Sequence, residues 1–305
     1  MSNRLKGLFF TVPALLFSWT VWAAEAPAGG RVEIEAIMAR RFSAVEEMLK
    51  RSRTRIVDIL QKADGLKPVY PYSIYTQKKD ETFSDHLHYA RSNFFIPVRV
   101  PIDPYLKKFI QTSEHFEDIF AANRAEQPSI GWQYVIEYRR HGMRFYPWFD
   151  ADNIMGSEID WSRFQFYTLA RNNKNYEKMT CSDPSLDVGG LGYVITCALP
   201  IRLRDSDYGL IGVDLSMSSY FSELRPQLGD SLDAFSYLTF PGKDAIVLKP
   251  RFHNFLLKNV MNMKNLDIRG AGRLYILGEG YSFRMIPVKS DYSRLQLMEV
   301  VKDGK

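Results

Sequence analysis

The sequence is poor in the residues that carry most enzyme chemistry. It has two cysteines and five histidines in 305 residues. A protein metal site needs several such ligands at short spacing, so no metal is expected. His86 and His88 sit two apart but have no third ligand near them in sequence. No G-x-S-x-G, phosphate-loop or H-E-x-x-H pattern occurs, which removes the common nucleophile, nucleotide and zinc-hydrolase arrangements. The acidic pairs Glu46-Glu47 and Glu117-Asp118 fall on amphipathic stretches and read as solvated faces. We therefore expect a non-enzyme that needs no cofactor. Charge is thin as well. The formal net charge is +5 with no dense Lys/Arg block, so no nucleic-acid partner is expected. Beyond the N-terminus no apolar run approaches the ~20 residues of a membrane span. The chain stops at LQLMEVVKDGK with no signalling module after it.

What is present begins at the N-terminus. MSNRLKG is basic, LFFTVPALLFSWTVW is apolar, and AAEAPAGG offers small residues in an A-x-A arrangement. That three-part order is a secretory signal, placed at residues 1–26. The competing reading is an uncleaved membrane anchor. Either way the remainder is expected outside the cytoplasm, periplasmic or secreted. The two cysteines suit that compartment. Cys181 and Cys197 each lie eight residues from Gly189, so a hairpin centred there makes them cross-strand neighbours. Neighbouring strands bring such pairs within bonding distance. A disulfide and two buried free thiols both remain open on this argument.

Residues 31–64 read as one long spine helix, with apolar positions from Ile34 to Leu60 near the helical period. Gly65 and Pro68 then stop it. Such a helix could also serve as a homodimer seam. Residues 66–104 are mixed loops, and 105–123 read as a second amphipathic helix. Gly131–Tyr138 and Met143–Trp148 read as strands joined at His141-Gly142. Asp160–Arg171 is helical, and Lys178–Ser182, Tyr193–Leu203 and Leu210–Leu215 are further strands, the last two joined by a turn at Ser206–Tyr208. The same order returns, shortened, in 218–305. There Phe235–Phe240, Ala245–Leu248, Arg273–Leu277, Tyr281–Pro287 and Leu295–Val301 read as strands, and His253–Asn262 as a helix. The class is α+β: a long N-terminal helix, then two PAS-like antiparallel-sheet units at 65–217 and 218–305.

The stretch from Trp132 to Met217 carries a resemblance. W-x-Y-V, then G-x-R-F-Y-P-W from Gly142 to Trp148, then F-Y-x-x-A at Phe166, Tyr167 and Ala170, then Gly212-Val213-Asp214-Leu215, together resemble double Cache sensor domains. The likeness implies an extracytoplasmic sensor with a ligand pocket between sheet and helix. It implies an amino acid, organic acid or amine as ligand, and a membrane signalling partner. One branch of that family binds α-amino acids through Tyr, Arg, Trp and Tyr on the helix and an Asp on the last strand. Here Tyr167 and Asp214 match, Ile159, Phe164 and Phe166 replace the other three, and Arg163 is adjacent. Amino-acid binding is thereby weakened. The expected ligand-binding set is Tyr146, Trp148, Arg163, Phe166, Tyr167, Tyr193 and Asp214, with Thr196 and Arg144 behind them. Asp214 has a structural reading too, as a cap for the segment after it. The second functional reading is an interaction protein that regulates a membrane partner and binds no ligand.

Overall fold

The computed structural model describes residues 28–217, apart from 78–81, 86–87, 98 and 188, and beyond them Ser219 and five strands between 235 and 302. The signal sequence and the expected helix at 253–262 lie outside the described residues. Helix α1 (Ala28–Gln61) runs 34 residues, about 51 Å at 1.5 Å per residue. From Phe42 on, its buried stripe is Phe42, Val45, Met48, Leu49, Ile56 and Leu60, spaced so as to lie on one side of the helix. The stripe packs on the main sheet and on the next two helices. A short 3-10 turn at Ala63–Gly65 ends it. Among the described residues no helix is long and apolar enough to cross a membrane.

Two-residue strands β1 (Thr76–Gln77) and β2 (Phe83–Ser84) pair with each other, and β3 (Asn93–Phe95) joins the main sheet. The helix expected over 105–123 is two helices. Helix α2 (Pro104–Ser113) starts at Asp103, whose carboxylate accepts from the Leu106 N–H at 2.9 Å. A 3-10 turn at Glu114–Phe116 follows, and then α3 (Glu117–Glu126). The break coincides with two buried carboxylates. Glu114 accepts from the Val69 and Tyr70 N–H groups and from the Tyr75 hydroxyl. Glu117 accepts from the N–H and hydroxyl of Ser92 and from the Tyr70 hydroxyl. Glu117 is thus buried, against the solvated-face reading, and only its neighbour Asp118 stands at the surface.

The main sheet adds β4 (Ile130–Glu137), β5 (Met143–Tyr146), β6 (Thr180–Cys181), β7 (Ser185–Leu186), β8 (Tyr193–Leu203) and β9 (Ser206–Ser216). Its order is β3-β5-β4-β9-β8-β6, with β7 also on β8, and its pairings are antiparallel. The β8–β9 turn is tighter than the expected Ser206–Tyr208. Arg204 and Asp205 both take positive φ, the geometry of a two-residue hairpin turn, and no glycine marks it in sequence. Cys181 and Cys197 are register partners and form a disulfide.

Alternation along these strands separates two interiors. Val135, Ile195, Cys197, Val213 and Leu215 face α1–α3. Tyr134, Ile136, Phe145, Ala198 and Leu210 face the other way, toward α4 (Ala151–Met155) and α5 (Gln165–Asn172). Where one helix was expected from Asp160, a 3-10 turn at Trp161–Arg163 precedes α5. The second sheet comprises β10 (Phe235–Phe240), β11 (Lys243–Val247), β12 (Ala271–Ile276), β13 (Glu279–Pro287) and β14 (Gln296–Lys302), in the order β11-β10-β14-β13-β12. With β3 and β7 set aside and the remaining five strands of each sheet numbered in chain order, this is the order second-first-fifth-fourth-third that β5-β4-β9-β8-β6 also follows.

Candidate functional site

On the α5 side of the main sheet lies a cavity partly open to solvent; with the solvent space at its mouth counted, it spans about 620 Å³. Strand periodicity builds its floor: Trp132 and Tyr134 are two apart on β4, Val194 and Thr196 two apart on β8, and Asp214 lies on β9. Thr196 and Asp214 are direct register partners, and Tyr134 pairs with Gly212. Gly212 explains how the tyrosine reaches the acid. A Cβ there would lie 2.5 Å from Tyr134 Cε2, so only glycine lets the ring lie against β9.

The carboxylate is the polar centre. Asp214 Oδ1 accepts from the Thr196 hydroxyl at 2.6 Å and from the Tyr134 hydroxyl at 3.2 Å. Its Oδ2 receives no hydrogen bond among the described residues. Asp214 is 9% exposed, and burial pushes its acid up to about 7. The Thr196 hydrogen bond opposes that shift, the negative charge of Asp187 adds to it, and the Tyr134 hydrogen bond opposes it. Burial and the same carboxylate hold the Tyr134 phenol well above its ordinary value. Among the described residues Asp214 caps no N–H of the following segment; the Ser219 N–H turns to the Ser216 hydroxyl instead.

Aromatic rings make the walls. Phe166 of α5 meets Tyr134 edge-on at 5.6 Å, and Phe164 stands 5.8 Å from Phe166 and 5.9 Å from Trp161. Trp132 leans on Phe149 at 4.6 Å. Both indoles are tethered: Trp161 Nε1 donates to the His141 carbonyl at 3.1 Å, and Trp132 Nε1 to Asp187 Oδ2 at 3.3 Å. Asp187 also accepts from the Leu191 N–H at 2.9 Å. It is therefore a turn residue, as its sequence context suggests, that reaches the cavity as well. At the mouth, Leu186 is 69% and Phe164 36% exposed.

Of the seven expected binding residues, the cavity collects Phe166 and Asp214. Tyr146 and Tyr193 point to the opposite face, where Tyr146 meets Phe120; strand parity places them there. Trp148 lies beyond the β5 end, stacked 4.2 Å from His88 and donating to the Asp85 carbonyl. Tyr167 sits one residue past Phe166, which turns it away toward Tyr138 and His141. Arg163 is exposed beside Asp160 at 3.4 Å. Of the two secondary candidates, Thr196 lies in the cavity and Arg144 is buried on the helix face. The disulfide also belongs to that helix face, so it braces the strand behind the cavity rather than the cavity wall. Sequence reasoning missed Trp132, Tyr134 and Asp187 as lining residues. Gly212, a glycine inside an apolar strand, was the available sign of a close neighbour. Among the described residues no cluster of His, Cys, Asp or Glu could hold a metal ion.

No protein-family model matches the chain, and no curated protein matches it in sequence. Solved structures do match. The ligand-binding domain of the Pseudomonas fluorescens chemoreceptor CtaA, solved with L-alanine, aligns with a TM-score of 0.51 and 11% identity over 91% of this chain and 94% of that one. The corresponding domain of the Campylobacter jejuni chemoreceptor Tlp3, with 4-methylisoleucine, aligns at 0.46 and 11% over 90% and 86%. That of the Pseudomonas aeruginosa amino acid chemoreceptor PctC, with GABA, aligns at 0.41 and 16% over 60% and 80%. At such identity the CtaA match speaks to fold alone. The chain has the α+β fold of a chemoreceptor ligand-binding domain, with the N-terminal helix and antiparallel sheets that its likeness to double Cache domains implied.

Proposed function

We propose that this protein is an extracytoplasmic sensor that binds a small molecule in the cavity beneath α5 and passes the signal to a membrane partner. One observation carries the reading. One carboxylate oxygen of Asp214 receives no hydrogen bond among the described residues and opens onto the floor of an aromatic cavity, in a chain of chemoreceptor ligand-binding fold. A ligand that strips water from that oxygen must replace its hydrogen bond, which a ligand donor does. Residues 65–217 form the ligand-binding PAS-like unit, and 218–305 a second, smaller one, on the strand order the two sheets share. Residues 1–26 direct export to the periplasm. The exposed side of α1 offers a surface to the partner or to a second copy. Catalysis is not part of this reading.

The test is a thermal-shift screen of purified protein against amino acids, organic acids and amines, with mass spectrometry of any co-purified molecule. A ligand at one hundred times its Kd adds about 2.7 kcal/mol of stability. The expected outcome is stabilisation by one chemical class, abolished by Asp214→Ala. A screen without any shift, together with recovery of a membrane protein by pull-down, would favour a ligand-free interaction protein instead.

A further inference from the structure

We propose that the cavity takes an organic cation lacking a carboxylate, a primary or quaternary amine on an apolar body, and discriminates against α-amino acids and organic acids. The proposal rests on reading this cavity as the sensor's ligand site. The first ground is the balance of charge. Among the described residues the lining holds two carboxylates, Asp187 and Asp214, and no lysine, arginine or histidine. The nearby guanidinium groups are engaged elsewhere: Arg163 lies exposed beside Asp160, and Arg171 stacks over Tyr138 and Tyr167. An entering carboxylate would face like charge with no cation to receive it.

The second ground is the balance of hydrogen-bond donors. The Thr196 and Tyr134 hydroxyls both point to Asp214 Oδ1, Trp132 Nε1 to Asp187, and Trp161 Nε1 to a backbone carbonyl. Of the side-chain N–H and O–H donors on the lining, the Ser185 hydroxyl at the rim is the one without such a commitment. What the ionised floor still offers is an acceptor, Asp214 Oδ2. An ammonium supplies donors and no acceptor, so it matches what is left over. The third ground is the walls. Six aromatic rings of described residues line the cavity, and their faces attract a cation more strongly as water is excluded.

Proton balance follows from the same geometry. Tyr134 from β4, Thr196 from β8 and Asp187 from the β7 turn are the polar groups around Asp214. With its acid at about 7, Asp214 is partly protonated near neutrality, and a bound cation expels that proton. Affinity for a cation of fixed charge therefore rises with pH through that value.

Calorimetric titration with phenethylamine, L-phenylalanine and 3-phenylpropionate isolates the carboxylate, because the three share one apolar body. Choline supplies a charge that does not titrate. Phenethylamine is expected to bind at least about tenfold more tightly than phenylalanine, a difference of roughly 1.4 kcal/mol, and phenylpropionate not at all. Choline is expected to bind more tightly at pH 8 than at pH 6, and Asp214→Asn to weaken it and flatten that dependence. Phe164→Ala, at the exposed mouth, weakens choline several-fold without touching the buried floor. Equal or tighter binding of phenylalanine or phenylpropionate overturns the cation assignment and leaves the sensor reading standing. If no probe binds and mass spectrometry finds a co-purified molecule, its charge decides in the same way. If no probe binds and nothing co-purifies, the sensor reading falls and the cation assignment with it.

Discussion

On the helix side of the main sheet, Arg144 is fully buried and its guanidinium is fully spent. It donates to the Ser113, Tyr75 and Ser92 hydroxyls and to the Ile110 carbonyl. Tyr75 in turn donates to Glu114, and Ser92 to Glu117, so the charge is balanced within two hydrogen bonds. On the α5 side, Asp214 is buried almost as deeply, yet one of its oxygens is left over. A buried charge whose capacity is exhausted is a structural member. One whose capacity is half used, beside an open cavity, is free to meet a ligand, the role proposed for Asp214. Both lie on strands of one sheet, and neither depth nor charge separates them. The count of unused donors and acceptors does.

Five variants sharpen or break that contrast. Arg144→Met leaves the buried Glu114 without its counter-charge, while Glu117 keeps Arg91 at 3.0 Å, and should cost about 3–5 kcal/mol in urea unfolding. A loss below ~1 kcal/mol would mean that the helix-side network is not the brace described. Replacing both Cys181 and Cys197 by serine opens a crosslink spanning 16 residues and should cost about 3 kcal/mol. Because the bond faces α1, ligand affinity measured in the same variant should hardly move.

Gly212→Ala forces the Tyr134 ring off β9. It should cost about 1–3 kcal/mol and abolish the thermal shift given by any ligand of the cavity; an unchanged shift would remove Tyr134 from the site. Asp214→Asn tests the pH behaviour. The folded-state acid at about 7 lies above the ~3.9 of an unfolded aspartate. This group's stabilisation is therefore complete below about pH 4 and lost as pH rises through 7. The melting temperature of the asparagine variant should fall less between pH 5 and 8 than that of the native protein. Parallel curves would assign the titration to another group. Arg163→Ala, on an exposed helix entrance, should change stability by less than ~0.5 kcal/mol and leave ligand affinity intact. A clear loss of affinity would bring a guanidinium back into the site.

Much of the fold was legible in sequence because strands and helices announce themselves by local pattern. β8 and β10 fall on the expected residues, and Cys181 and Cys197 are register partners, as the Gly189-centred hairpin required. The helix break at Ser113 was not legible. It accompanies hydrogen bonds from Val69, Tyr70, Tyr75 and Ser92 to Glu114 and Glu117, which are remote in sequence. The site was legible only in part. Both faces of the sheet are buried, so alternation shows that Tyr134 and Tyr146 can face apart without showing which of them faces the cavity.

By itself the sequence determined the class of elements, their order, the long first helix and the presence of an acid closing an apolar strand. Local periodicity and turn chemistry suffice for those. Only the tertiary structure decided that Asp214 meets Thr196 and Tyr134, that Gly212 makes room for a ring, and that among the described residues no cationic side chain lines the cavity. Each of those depends on strand register and on which face the helices cover, and such contacts join residues up to 80 positions apart.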